Sequence, residues 1–190
     1  GIKDEMPAIP GFAESWGISV LHCPYCHGYE VRQQPTGILA NGEPAVELAT
    51  LISNWTNNLT VYTNGTSTIS REQAARFVKH GIAINESVIE KIEQEKGYIQ
   101  NMVFGNGEKA PLKALYARLP FVQHSGIPAA LGCEITPEGY IKTDPAQRTT
   151  VPGVFACGDN TSRMRTVANA VSSGTTTGIA LNRELIEESF

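Results

Sequence analysis

No stretch of 18 or more apolar residues occurs in this 190-residue chain, and no charged-then-apolar segment opens it. Neither a membrane-spanning helix nor a secretory leader is therefore expected. Positive charge is not in surplus either. Fifteen Lys and Arg stand against 19 Asp and Glu, for a net charge of −4, so the basic footprint of a nucleic-acid binder is missing. Tandem repeats and low-complexity tracts are absent, and the one acidic cluster, Glu184, Glu187 and Glu188, reads as a solvated helix end. Zinc-type spacing is also lacking, because the single C-x-x-C is not joined by a second one or by H-x3-H. No metal site is expected. Of the four cysteines, Cys133 and Cys157 stand singly in apolar surroundings and read as buried and inert, which points to the cytoplasm.

What the chain does have is Cys23-Pro24-Tyr25-Cys26-His27. Two cysteines two residues apart, with an ionisable neighbour, can move two electrons. One thiolate attacks a disulfide, the second thiol resolves the mixed disulfide, and the neighbour manages protons. Pro24 suits the first position of a helix, which makes Cys23 a candidate N-cap facing the positive end of the helix dipole, where thiolate is favoured. His27 is the candidate acid–base group. The same letters also spell covalent haem attachment, C-x-x-C-H, which would require export. A zinc site would have to wrap His22, Cys23, Cys26 and His27 around one ion within six residues.

Strands and helices alternate along the chain, which predicts an α/β architecture. Residues 18–21 form a short apolar strand running into the cysteine motif. Gly37 to Ala40 is a buried run, followed by a turn at residues 41–44 and a helix over 45–54. A second strand covers 59–63. A helix capped by Ser70 covers 71–80, and strands follow at 82–84, 88–92, 98–104 and 112–119. The tail is read as a strand over 154–157, a loop over 158–164 and a helix from about residue 166. Strand, glycine turn and helix at Gly37–Glu47 is the layout of a dinucleotide fingerprint, with Gly42 as its candidate binding glycine. Yet Ala40 replaces the first glycine of G-x-G-x-x-A, and Glu43 puts a carboxylate where a pyrophosphate would sit. No acidic group ends the next strand, and no arginine for a 2′-phosphate follows it until Arg71. A Rossmann-like scaffold that binds its nucleotide poorly fits these letters equally.

A third constellation lies at Thr150-Val-Pro-Gly-Val-Phe-Ala-Cys-Gly158-Asp159, followed by Arg165, Thr166 and Val167. Gly158 and Asp159 place a carboxylate at a strand tip, where a ribityl hydroxyl could be held. The helix starting near Thr166 offers free N–H groups to a group gaining negative charge, such as the edge of a reduced flavin.

In this order, the motifs resemble the thioredoxin reductase-like pyridine nucleotide–disulfide oxidoreductases across the whole chain. Gly1 looks like the end of that family's A-T-G crossover, and Ile9-Pro10-Gly11 like the I-P-G that follows. The resemblance implies a crossover over residues 1–10, a nicotinamide-type domain over 11–124, and the closing segment of an FAD-binding domain over 125–190. It implies that Cys23 exchanges with substrate while Cys26 faces the flavin, that Asp159 binds the ribityl chain, and that Arg165, Thr166 and Val167 line the isoalloxazine edge. The family's opening flavin half, which FAD binding needs, is absent. The usual acid after the second cysteine is replaced by His27, and the arginine pair for a 2′-phosphate is missing. The spelling CPYCHGYE looks most like a branch that includes dithiol oxidases passing electrons to oxygen. The expected function is FAD-dependent thiol–disulfide exchange, with NAD(P)H a doubtful reductant. The expected partner is a thioredoxin-like protein or a small dithiol or disulfide, and the expected assembly a homodimer. The alternatives are a dithiol oxidase or a non-catalytic binding or dimerisation module.

Overall fold

The computed structural model describes all residues, Gly1–Phe190. Along the chain the elements are β1 (Ile2–Asp4), α1 (Phe12–Ser15), β2 (Val20–Leu21), α2 (Pro24–His27), β3 (Thr36–Leu39), α3 (Gly42–Ile52), β4 (Leu59–Tyr62) and α4 (Arg71–Lys79). They continue with β5 (Ala83–Asn85), β6 (Ile89–Glu95), β7 (Tyr98–Phe104), β8 (Lys109–Pro111), β9 (Ala114–Ala117), β10 (Phe121–Gln123), α5 (Ile127–Ala130) and α6 (Val167–Ser189). They fall into two compact units, Met6–Leu119 and Gly1–Glu5 with Pro120–Phe190. No helix is long and apolar enough to cross a membrane.

In the Met6–Leu119 unit, short apolar runs without polar alternation need cover on both faces, and a parallel sheet provides it. Five strands pair in the order β2-β9-β3-β4-β5, all parallel. Because side chains alternate along a strand, Leu21, Ile38, Val61 and Tyr116 share one face with Ala45, Leu48, Ala49 and Ile52 of α3 and Phe77 of α4. Val20, Tyr62, Leu115 and Ala117 fill the other face with Phe12, Ile92, Met102 and Phe104. That second cover is the antiparallel meander β6-β7-β8, docked through the stacked rings of Tyr62 and Phe104, 5.7 Å apart. Ser19, fully buried, ties the entry to β2 onto the meander. Its Oγ donates to the Gly97 carbonyl at 2.6 Å and accepts from the Ile99 N–H at 3.0 Å.

Helix boundaries follow their caps. Ser70 and Gln73 complete a reciprocal capping box at α4. The helix predicted from residue 45 begins at Gly42 instead, because Asn41 serves as N-cap and admits Glu43 and Pro44 to its first turn.

The Gly1–Glu5 and Pro120–Phe190 unit has little sheet. Ile2–Asp4, read from sequence as part of an irregular crossover, is a strand paired antiparallel with β10. The strand expected over 154–157 does not form. Only a single bridge, Arg148 to Phe155, reaches it, because the unit supplies no neighbouring strand to complete a ladder. The long helix α6 buries only Ala180 of its 23 residues.

Ile38 sits fully buried at the centre of the first face, between the sheet and α3. Truncation to alanine there should lower the unfolding free energy by about 2–5 kcal/mol. Urea denaturation followed by circular dichroism measures it.

Candidate active site

The cysteine motif hangs from the carboxyl end of β2, the edge strand of the parallel sheet. This is the end of an α/β sheet where chemistry is ordinarily placed. Cys23 stays extended (φ −128°, ψ 115°) as the N-cap of the one-turn helix α2, with Pro24 at the first helical position. The spacing predicted this placement. The backbone closes the turn, with the Cys26 and His27 N–H groups donating to the Cys23 carbonyl at 3.2 Å each. Cys23 is half-buried, whereas Cys26 is exposed, and both are free thiols. His27 is exposed in the same turn.

The two thiols are unequal. Cys26 is pushed above its ordinary range, first by its hydrogen bond with the Cys23 side chain, then by burial, then by the Cys23 charge. A pair in which one sulfur holds the proton of the other is suited to attack by the first and resolution by the second.

Two residues that sequence inspection passed over support the motif. Gly28, just after α2, lies under the Trp55 indole. A Cβ on it would stand 2.8 Å from both Cδ2 and Cε2, so only glycine lets the ring close against the turn. Beneath, Tyr116 of β9 is the register partner of Leu21. Its ring is 1% exposed and its hydroxyl is buried without a hydrogen-bond partner. Desolvation, then the charges of Cys23 and Glu30, raise the Tyr116 phenol to about 12. The glycine of CPYCHGYE offered a signal for the first contact. The second depends on strand register, which no local pattern carries.

Around the motif the surface is aromatic. Tyr25 is 76% exposed and Tyr29 63% exposed. The Arg32 guanidinium lies 3.8 Å from the centroid of the Tyr29 ring and donates to the Tyr29 carbonyl at 2.6 Å.

Gly42 lies at the equivalent end of β3, where a dinucleotide phosphate would meet α3. The groups present do not fit one. The Asn41 Oδ1 accepts from the Gly42 N–H at 2.9 Å and the Thr68 N–H at 2.8 Å, and its Nδ2 donates to the Thr66 carbonyl at 2.9 Å. Pro44 has no N–H to offer. Gly42, at φ +59°, is so close to this loop that a Cβ would stand 2.9 Å from the Thr68 Oγ1. Glu43 adds a carboxylate, held by the Gln73 amide at 2.7 Å.

In the other unit, Gly158 (φ +92°) and Asp159 lie in the loop expected over 158–164, but with no strand formed over 154–157 they do not sit at a strand tip. The Asp159 carboxylate is 42% exposed. Thr166 is the N-cap of α6, its Oγ1 accepting from the Asn169 N–H at 3.1 Å, and Val167 begins the helix fully exposed. Beside Asp159, the Asn160 Oδ1 is buried without a partner. An orphaned acceptor, an exposed carboxylate and a helix N-terminus together fit a polar cofactor such as FAD. Arg165 is otherwise engaged, its guanidinium donating to Asp4 at 2.8 Å in a largely buried ion pair. Of the remaining cysteines, Cys133 is buried and donates to Thr149 at 3.6 Å. Cys157 is only half-buried, at the wall of the same apolar cavity, which is about 250 Å³.

A dithiol turn on the carboxyl edge of a parallel, doubly covered sheet marks an oxidoreductase-type α/β protein. The chain belongs to the pyridine nucleotide-disulphide oxidoreductase family, whose profile matches residues 1–174, and within it is thioredoxin reductase-like. It is 32% identical to thioredoxin reductase tcpT of Claviceps purpurea over 99% of this chain and 61% of that protein. It is 27% identical to thioredoxin reductase aclD of Aspergillus oryzae, over 97% and 62% respectively. Among solved structures it is similar to HlmI (31% identity, TM-score 0.91, covering this chain fully and 59% of that one). It is also similar to a putative thioredoxin reductase TrxB from Bacillus anthracis (27%, 0.92, fully and 64%). The chain thus spans about three fifths of the length of the curated relatives it matches.

The coupling between the thiols gives a sign to test. Cys23→Ala removes two of the three causes that hold the Cys26 proton on. More Cys26 thiolate is then present at any pH below its midpoint. Iodoacetamide alkylation of Cys26 at pH 8, followed by peptide mass spectrometry, should be faster in Cys23→Ala than in wild type.

Proposed function

We propose that this chain carries the dithiol centre of an FAD-dependent thiol–disulfide oxidoreductase, with Cys23 and Cys26 as the redox pair. The observation that carries the reading is the pair itself, a half-buried N-cap sulfur bonded to an exposed thiol that holds its proton more tightly. The Cys23 thiolate attacks a substrate disulfide, forming a mixed disulfide and releasing one substrate thiolate. Cys26 then loses its proton and attacks the Cys23 sulfur, which expels the second substrate sulfur as thiolate. The substrate has gained two electrons, and Cys23 and Cys26 are left as a disulfide. His27 exchanges protons with Cys26 and the leaving sulfur. The same steps in reverse oxidise a substrate dithiol. Gly158, Asp159, Asn160, Thr166 and Val167 would hold FAD, which when bound supplies two-electron exchange with the cysteine pair. The substrate is a thioredoxin-like protein, as the relatives' names suggest, or a small dithiol or disulfide, for which the open aromatic surround of Tyr25 and Tyr29 leaves room.

NADPH is not the efficient reductant on this reading. Pyrophosphate binding at a helix N-terminus relies on free N–H groups and the positive end of the dipole. Here Asn41 occupies one N–H, Pro44 removes another, and Glu43 supplies the negative charge.

Incubation in glutathione buffers of graded potential, followed by thiol counting and peptide mapping, should show an intramolecular Cys23–Cys26 disulfide at equilibrium. Neither Cys23→Ser nor Cys26→Ser should form it. A pair that stays reduced under oxidising buffers, or that links only to other cysteines, would overturn the assignment. Calorimetric titration with NADPH should give no saturable heat up to millimolar concentration. Saturable micromolar binding would restore the nucleotide as electron donor.

A further inference from the structure

Tyr25, Tyr29 and Arg32 stand exposed around the dithiol, and the exchange steps themselves use none of them. Local backbone geometry sets their spacing. The His27 N–H donates to the Cys23 carbonyl at 3.2 Å and the Gly28 N–H to the Pro24 carbonyl at 2.7 Å, each four residues back. Gly28 keeps helical angles (φ −64°, ψ −33°), so the helical path of α2 carries on to Tyr29. On such a path residues three and four apart are neighbours, with Cβ atoms about 5–6 Å apart. Tyr29 therefore stands one turn from both Cys26 and Tyr25, and helical side chains lean back over the preceding turn.

The segment that follows is fastened at both ends by one residue. The Trp55 indole closes on Gly28, and the Trp55 carbonyl accepts from the Gln33 N–H at 2.9 Å. Between these ties Val31 packs on the core under α3. Arg32 is thus carried on fixed backbone, and its side chain is fixed as well. Its Nη1 donates to the Tyr29 carbonyl at 2.6 Å, and the guanidinium lies 3.8 Å from the Tyr29 ring centroid. Arg118, Arg148, Arg165 and Arg183 each meet a carboxylate. Arg32 meets only the uncharged Tyr29 carbonyl and ring, and makes no ion pair with Glu30 two residues before it. A guanidinium has five N–H donors in a planar fork, so donors remain for a ligand.

We propose that Arg32, seated on Tyr29, is a specificity-determining residue of the dithiol centre, and that it selects a small disulfide bearing a carboxylate near its sulfurs. The inference deepens the reading of Cys23 and Cys26 as the redox pair and rests on it. The substrate carboxylate accepts from the guanidinium fork, while its organic part lies against the exposed Tyr25 and Tyr29 rings. That brings the disulfide bond to α2. Attack by the Cys23 thiolate then forms the mixed disulfide and releases one carboxylate-bearing thiolate. Three side chains on about two turns of chain suit a small molecule, whereas a specific protein interface takes about 800 Å² on each partner.

The test compares two aromatic disulfides of different charge on the reduced chain. Dithiobis(nitrobenzoate) carries carboxylates on its rings, and dithiodipyridine is neutral at pH 7. Both release a coloured product, so initial rates are read directly. The rate of a Cys23→Ser, Cys26→Ser double variant is subtracted to remove Cys133 and Cys157. Arg32→Gln should slow the benzoate reagent about fivefold relative to dithiodipyridine, the upper end for an exposed charge pair. Arg32→Lys, which keeps the charge but loses the fork, should fall between. The difference should narrow in about 1 M salt, where the screening length is about 3 Å. Arg32 is exposed, and matching circular dichroism checks the fold of each variant. A cation acting only on the cysteines would alter both reagents alike. An unchanged ratio of the two rates, whether both fall together or neither moves, would therefore overturn the proposal. Loss of the dithiol assignment reads differently, as a missing Cys23–Cys26 disulfide in the glutathione buffers.

Discussion

The pairing of β2 with β9 is the constraint on which the dithiol centre rests. β2 is two residues long, too short to hold itself, and lies at the edge of its sheet. Its place comes from Val20 and Leu21 being buried on opposite faces, from the register with Leu115 and Tyr116, and from Ser19 bonding to the meander. With those fixed, the chain leaves the sheet at one point and in one direction. Pro24 then starts α2 at once, and Cys23 has no choice but the N-cap. The chemistry is therefore set by packing two residues upstream of it. A core substitution under β2 would loosen the sulfur without touching it.

The same sheet end offers a second seat at the start of α3, and the two show how one device is put to different uses. A helix N-terminus has a limited set of unpaired N–H groups and a positive partial charge. At α2 a sulfur faces it. At α3 an asparagine side chain faces it, together with a folded-over loop reaching from Thr66 to Thr68, a proline without an N–H and a glutamate. Each substitution at α3 is stabilising locally, since Asn is a favoured cap and Glu suits the first turn. Those gains make the helix a worse receptor for phosphate. Stability and anion binding compete for the same donors here, and stability holds them.

Much of this was legible in the letters. The α/β class, the position of β7 and the N-cap role of Cys23 follow from periodicity, length and one proline. The early start of α3 was readable in principle, since Asn41 is a good cap, but Pro44 and the glycine turn drew attention to a fingerprint instead. The ladder expected at residues 154–157 failed for a different reason. A strand's existence depends on a partner, and an apolar run carries no information about whether one is present. The roles of Trp55 and Tyr116 were illegible, because each contact joins residues far apart in sequence through sheet register or close packing against a glycine.

The inequality of the two cysteines follows from this architecture more than from the motif itself. Both sulfurs flank the same turn of helix, so local dipole effects alone would separate them little. What differs is their surroundings. Cys23 is half-buried, whereas Cys26 is exposed with Cys23 as its partner. A thiol that must attack benefits from a site prepared for its charge. A thiol that must resolve benefits from holding its proton until the mixed disulfide exists. On the proposed scheme, the neighbouring sulfur supplies the second of these. Once Cys23 is tied into a mixed disulfide on this scheme, it no longer presses on Cys26. The charge and hydrogen bond that kept the Cys26 proton in place are then gone, and attack on Cys23 becomes easier at the step that requires it.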